Sequence, residues 1–181
     1  MNFRQFRSLH DYEEQTDPRT GKTKKVLVYT GDYYTLNLAP AERKSYLRRL
    51  WLLWALAAAC YLGATFTNAL SSHLFYVGGF YLIALFPLGV WGWAIFRLTR
   101  QQEPFTQMAK EETVDRLGRY SILTTVLGVC ALVGDLYFAL RGGWQFQPGV
   151  EILFASLLAA LTVCSWAAYM EARRHPVQKS R

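Results

Sequence analysis

Residues 50–96 read LWLLWALAAACYLGATFTNALSSHLFYVGGFYLIALFPLGVWGWAIF, 47 positions (50 through 96) without one Asp, Glu, Lys or Arg. As a single helix the stretch would run about 70 Å at ~1.5 Å per residue, over twice a hydrocarbon core of ~30 Å. It must therefore fold back once. The only polar cluster inside it, Asn68-Ala69-Leu70-Ser71-Ser72-His73, marks the place. Helices over 50–70 and 74–97 follow from that reading.

Downstream, residues 120–140 are apolar apart from Asp135, RGGWQFQPG at 141–149 has turn composition, and 152–170 carry no charge. A second pair of helices is expected over 120–141 and 150–171. These runs are apolar on all sides, unlike the one-sided helices of soluble cores, and helices are the form in which a lipid-embedded backbone satisfies itself. The fold class expected is an all-α integral membrane protein: a four-transmembrane-helix bundle of two helical hairpins, with a small N-terminal cytoplasmic β-meander. The segments are 1–38 (meander), 39–100 (first hairpin), 101–119 (cytoplasmic amphipathic linker), 120–172 (second hairpin) and 173–181 (basic tail).

Composition fits this division. The chain of 181 residues is 52% hydrophobic and 15% aromatic, yet its mean hydropathy is near zero, so polar and apolar residues are segregated. The net charge of +7 comes from 20 Lys and Arg. Ten lie before residue 50, five between 97 and 120 and four after 172; Arg141 alone falls elsewhere. By the positive-inside rule the first three groups face the cytoplasm, as do both termini, which puts the protein in the cell membrane as a multi-pass chain. Arg43, Lys44, Arg48, Arg49, Arg173 and Arg174 sit at helix ends and are expected to meet anionic headgroups of the bilayer. No nucleic-acid-binding motif accompanies them, so no nucleic-acid partner is expected. Trp51, Trp54, Trp91 and Trp93 near the cytoplasmic ends, with Tyr76, Tyr137 and Trp144 near the outer ends, have the spacing of aromatic belts. The charged segment 1–15 lacks the apolar core of a cleaved signal peptide. Cys60, Cys130 and Cys164 fall in apolar runs at no metal-like or CxxC spacing and read as packing residues.

Shifting the chain by 70 residues lays Leu47, Arg49, Leu53, Cys60 and Leu62 on Leu117, Arg119, Leu123, Cys130 and Leu132. Two parallel repeats would give such a match, and so would shared Leu-rich composition. Ser156, Ala160, Cys164 and Ala168, spaced by four, are expected to form a packing stripe on the last helix for a neighbour of the same chain or of a second copy in a homo-oligomer. Pro87, with Gly89 and Gly92 beyond it, is expected to bend the second helix.

In the N-terminal segment, 10–15 and 24–30 (KKVLVYT) read as strands around a turn at 16–22, and Gly31-Asp32 as a tight turn into a third strand at 33–38. Such a meander either caps the bundle or offers an edge to a protein partner. PAERKSYLRRL at 40–50 begins the first helix early, with Pro in its first turn. The linker is expected to be helical, with Phe105, Met108 and Leu117 on a loose apolar face and Lys110, Glu111, Glu112 and Asp115 opposite.

Asp135 is the only ionisable residue well inside a span. It should face the bundle and have a partner, with Arg141 and His73 the candidates for one intramembrane polar site. Glu151 reads as a favourable charge at a helix N-terminus. Catalytic, cofactor-binding and metal-ligating signatures are missing: there is no Walker loop, GxGxxG, HExxH or GxSxG. A non-enzymatic scaffold, accessory subunit or sensor acting through protein partners is the first expectation. The alternative is a small oligomeric transporter or channel using Asp135 as a proton or cation site. An intramembrane enzyme would rest on Asp135 and His73 alone.

Overall fold

The structure, a computed structural model, describes residues 10–16, 23–29, 31–36, 38–101, 103–175 and 177–180. Four helices are long and apolar enough to cross a membrane: α1 (Pro40–Phe66), α2 (Phe75–Arg100), α3 (Gln107–Leu140) and α4 (Pro148–Arg174). The protein is an all-α four-helix membrane bundle with a small β element in its N-terminal segment.

Local chemistry sets the helix ends. Pro40 supplies the first turn of α1, and Glu42 Oε2 accepts the Ala39 amide at 3.1 Å. α1 stops at Phe66, two residues before Asn68, whose φ of +51° lies in the left-handed region that asparagine tolerates. The polar cluster at 68–73 forms a single 3-10 turn, Leu70–His73. α3 begins well before its apolar run and carries a π-helical segment, Glu111–Asp115, so the linker is an extension of a membrane helix rather than a separate element. Phe105, Ala109, Thr113 and Leu117 form its buried face. Met108, expected on that face, is 40% exposed, because it lies one residue off the stripe that Phe105, Ala109 and Thr113 make at a spacing of four.

The helices form a ring in the order α1, α4, α3, α2, with α1 and α2 the least intimate neighbours. Side-chain size accounts for that. Across α1 and α2, Trp54 lies over Gly92 and donates its indole N–H to the Leu88 carbonyl at 3.0 Å, while Tyr61 and Tyr81 stack with centroids 4.5 Å apart. Across α3, Gly128 meets Thr162 of α4 and Gly134 meets the backbone of Tyr76 in α2, so the axes come closer. Leu82, Ile83, Phe86, Val133 and Val163 cover the outside of the ring, an apolar exterior suited to lipid.

Inside the ring Ser121, Thr124, Thr125 and Ser165 are buried, and each hydroxyl donates to the carbonyl four residues back in its own helix, at 2.8 to 3.0 Å. The hydroxyls set into the apolar interior are thus closed upon their own helices. The 70-residue shift does not describe this packing. Tyr46, Leu50, Ala57 and Ala64 of α1 match the burial of Leu117, Ser121, Gly128 and Asp135 at a shift of 71 (117 − 46). One residue of offset turns the sequence identities onto different helix faces.

Among the described residues three strands precede the helices. β1 (His10–Thr16) and β2 (Thr23–Tyr29) pair as an antiparallel hairpin with His10 opposite Tyr29; the turn expected at 16–22 lies, beyond Thr16, outside the described residues. β3 (Tyr33–Leu36) pairs elsewhere than with β2. It is the centre of a second sheet, flanked by β4 (Phe105–Thr106) and β5 (Val177–Ser180), with Tyr34 opposite both Phe105 and Lys179. Gly31-Asp32 therefore leads from one sheet into the other, and residues read as a basic tail form a strand. Segments from before, between and after the two hairpins thus meet at one end of the bundle.

Candidate functional site

At the opposite end the turns joining α1 to α2 and α3 to α4 come together over two buried carboxyl groups. Asp135 is 1% exposed and Glu151 is fully buried. Glu151, in the first turn of α4, accepts the Leu70 amide at 2.7 Å, the Ser71 amide at 3.3 Å and the Ser71 hydroxyl at 2.6 Å. One side chain thereby satisfies the backbone donors that open the 3-10 turn of the other hairpin. Asp135 Oδ1 accepts the Trp144 indole N–H at 3.4 Å, and the Ser71 side chain also reaches Asp135. Ser71 therefore sits between the two carboxyl groups.

Neither partner expected for Asp135 is there. Arg141 is exposed, with its guanidinium 5.2 Å from the ring of Tyr137. Six residues at about 100° each put it some 240° around the helix from Asp135. His73 is exposed and lies 3.4 Å from Asn68 Oδ1. No ion pair formed among the described residues includes Asp135 or Glu151.

Sequence reasoning gave Glu151 no role because it stands at a helix boundary, where a carboxylate is unremarkable. A signal was nevertheless present. Glu151, Phe154, Leu158, Leu161, Ser165 and Ala168 are all buried, and their alternating steps of three and four trace one face of α4 with Glu151 in it. The small-residue stripe follows a strict step of four, which drifts about 40° per step. It runs from Ser156, exposed and donating to the Ile152 carbonyl, through the half-buried Ala160 and Cys164 to the buried Ala168. It crosses the packing face instead of lying along it.

The arginines at the end of the bundle that carries the three-stranded sheet are tied into the fold unequally. Arg43 donates to the Gln101 carbonyl at 2.5 Å and approaches Glu103 at 3.7 Å, which fastens the start of α1 to the α2–α3 connection. Arg97 pairs with Glu112. Arg49 and Arg174 share Glu171, while Lys44 and Arg48 are exposed and Arg173 lies over Tyr169. Among the described residues no group of three His, Cys, Asp or Glu side chains is placed to hold a metal.

Comparison of the chain with family models, with curated proteins and with solved structures finds no match. What can be said of its class is what the fold defines: a multi-pass helical membrane protein.

Proposed function

We propose that the chain is a non-enzymatic protein of the cell membrane, with both termini cytoplasmic, that works as a scaffold, accessory subunit or sensor by engaging a protein partner at its cytoplasmic sheet. The observation that carries this is the order β4–β3–β5. The helices' connecting chain is gathered there into a small platform, and among the described residues no strand pairs with the outer side of β5, which leaves an edge that can offer backbone donors and acceptors. Nineteen of the twenty basic residues (ten, five and four) belong to segments at that end, which supports its facing the cytoplasm and anionic headgroups. A second copy of the chain is one partner such an edge accepts.

The test is crosslinking in intact cells followed by purification in mild detergent. A specific adduct is expected, and Gln178→Pro, which removes a donor from β5, should abolish it. Recovery of the protein alone and monomeric in every condition would sink the idea.

A second reading, a small oligomeric transporter or channel, is supported by the Asp135–Glu151 pair. Two buried carboxyl groups with no cationic partner require a proton or a cation to balance them. Ser71 has one proton to donate, and Glu151 takes it. Asp135→Asn in proteoliposomes should then abolish flux of protons or monovalent cations; flux that persists unchanged rules this reading out.

A further inference from the structure

The seam between α1 and α4 opens at its cytoplasmic end into a groove of about 360 Å³. Leu52, Leu53, Ala167 and Met170 form its walls, and Arg49, Glu171 and Arg174 its rim. α1 runs away from this end and α4 toward it, so the apolar walls lie about one turn deeper than the arginines. The Glu171 side chain is 8% exposed; its Oε1 lies 3.2 Å from Arg49 Nη1 and its Oε2 3.5 Å from Arg174 Nη1. One buried carboxylate thus holds two arginines whose side chains remain 61% and 68% exposed. Each guanidinium has five N–H donors in a fixed fork, so most stay available above the groove. Two cations against one anion leave the rim with one positive charge.

A cationic rim, preset by a buried anion, above an apolar trough at the depth of the bilayer boundary matches one kind of molecule in both its parts. We propose that this groove binds one anionic glycerophospholipid, its phosphate between Arg49 and Arg174 and an acyl chain along Leu52 and Met170. The site rests on the reading that this end of the bundle lies among anionic headgroups, and it narrows that contact from a diffuse basic surface to one defined place. The larger groove between α2 and α3 supplies the contrast. It also holds two arginines, but Arg97 is engaged by Glu112 and Arg100 lies over the Phe96 ring at 4.3 Å, with no shared carboxylate aiming the two together.

The full chain in a non-ionic detergent, examined by native mass spectrometry, tests this. The probes are dioleoyl phosphatidylglycerol, dioleoyl phosphatidylcholine and water-soluble glycerol 3-phosphate. One phosphatidylglycerol should be retained, phosphatidylcholine roughly tenfold more weakly, and glycerol phosphate not at all. The double variant Arg49→Gln with Arg174→Gln should weaken retention by roughly tenfold or more, since it removes both cations of the rim. Leu52→Trp, which fills the trough without touching a charge, should do the same and keeps the test valid should the double variant misfold. Arg97→Gln with Arg100→Gln removes equal charge from the same end and should leave retention unchanged. Equal loss from both arginine pairs would replace the site with diffuse surface attraction and leave the orientation standing. Loss from neither pair would overturn the site and the headgroup reading together. Glycerol phosphate held as tightly as the lipid would make this a simple anion site and overturn the proposal.

Discussion

A carboxylate accepting three hydrogen bonds inside an apolar bundle contributes more to stability than one accepting a single long bond, because each unmet donor bears its own desolvation cost. Glu151 is the first kind and Asp135 the second. Glu151→Gln replaces charge-assisted bonds by neutral ones and turns the Ser71 hydroxyl from donor to acceptor, and is expected to cost about 1–3 kcal/mol. Asp135→Asn should cost less. Thermal unfolding in detergent, followed by circular dichroism, ranks the two, and the reverse order would contradict these bond assignments. Gly92 makes a second case, since a Cβ there would run into the Trp54 indole. Gly92→Ala should lower stability by about 1–3 kcal/mol through overpacking, and by much less when combined with Trp54→Phe. Asp135 was legible in the sequence because it is the one charge within a span. For Glu151 the periodicity of α4 gave its face but not its partner, which is the turn of another hairpin, a contact 80 residues away.

Strand β3 depends on neighbours that lie far along the chain. Removing residues 177–180 should speed amide hydrogen exchange by roughly tenfold or more at the alternate residues of β3 whose N–H groups face β5, while exchange in the helix interiors stays as it was. Lys179→Ala should leave β3 protection unchanged. The Asp32 carboxylate, 2.7 Å away, pushes the Lys179 ammonium above its usual range, but both side chains are largely exposed, and such pairs contribute little. If Lys179→Ala matched the deletion, the ion pair rather than strand pairing would hold the sheet. The four membrane helices could be read from apolar run length, and the first two strands from Val, Tyr and turn residues. The pairing of β3 could not, because two strands from opposite ends of a chain carry no local mark of each other. The extension of α3 was obscured in another way: segment 105–117 is mixed in polarity and resembles a surface helix, yet its buried stripe faces α2 and the sheet.

For the molecule as a whole, the antiparallel pairing of β3 with β4 and β5 requires the first segment, the middle connection and the tail to share one side of the membrane. With Cys60, Cys130 and Cys164 replaced, single cysteines at Gly31 and Gln178 should therefore react with an impermeant maleimide from the same side, and one at Phe146 from the other. Opposite labelling of Gly31 and Gln178 would refute the sheet and the topology at once. The ring order of the helices lay beyond sequence reasoning. It follows from which faces carry glycine and which carry indole and phenol, and the one-residue offset between α1 and α3 shows that similar sequence at similar depth does not ensure similar facing.

The three-stranded sheet also has a consequence in time. Strand β3 is synthesised ahead of every membrane helix, and β5 follows all four, so β3 lacks its longest neighbour until both hairpins are inserted. Closure of the sheet thus waits on both hairpins, and any chain that stalls or inserts a hairpin the wrong way leaves β3 without β5 and its edge unpaired.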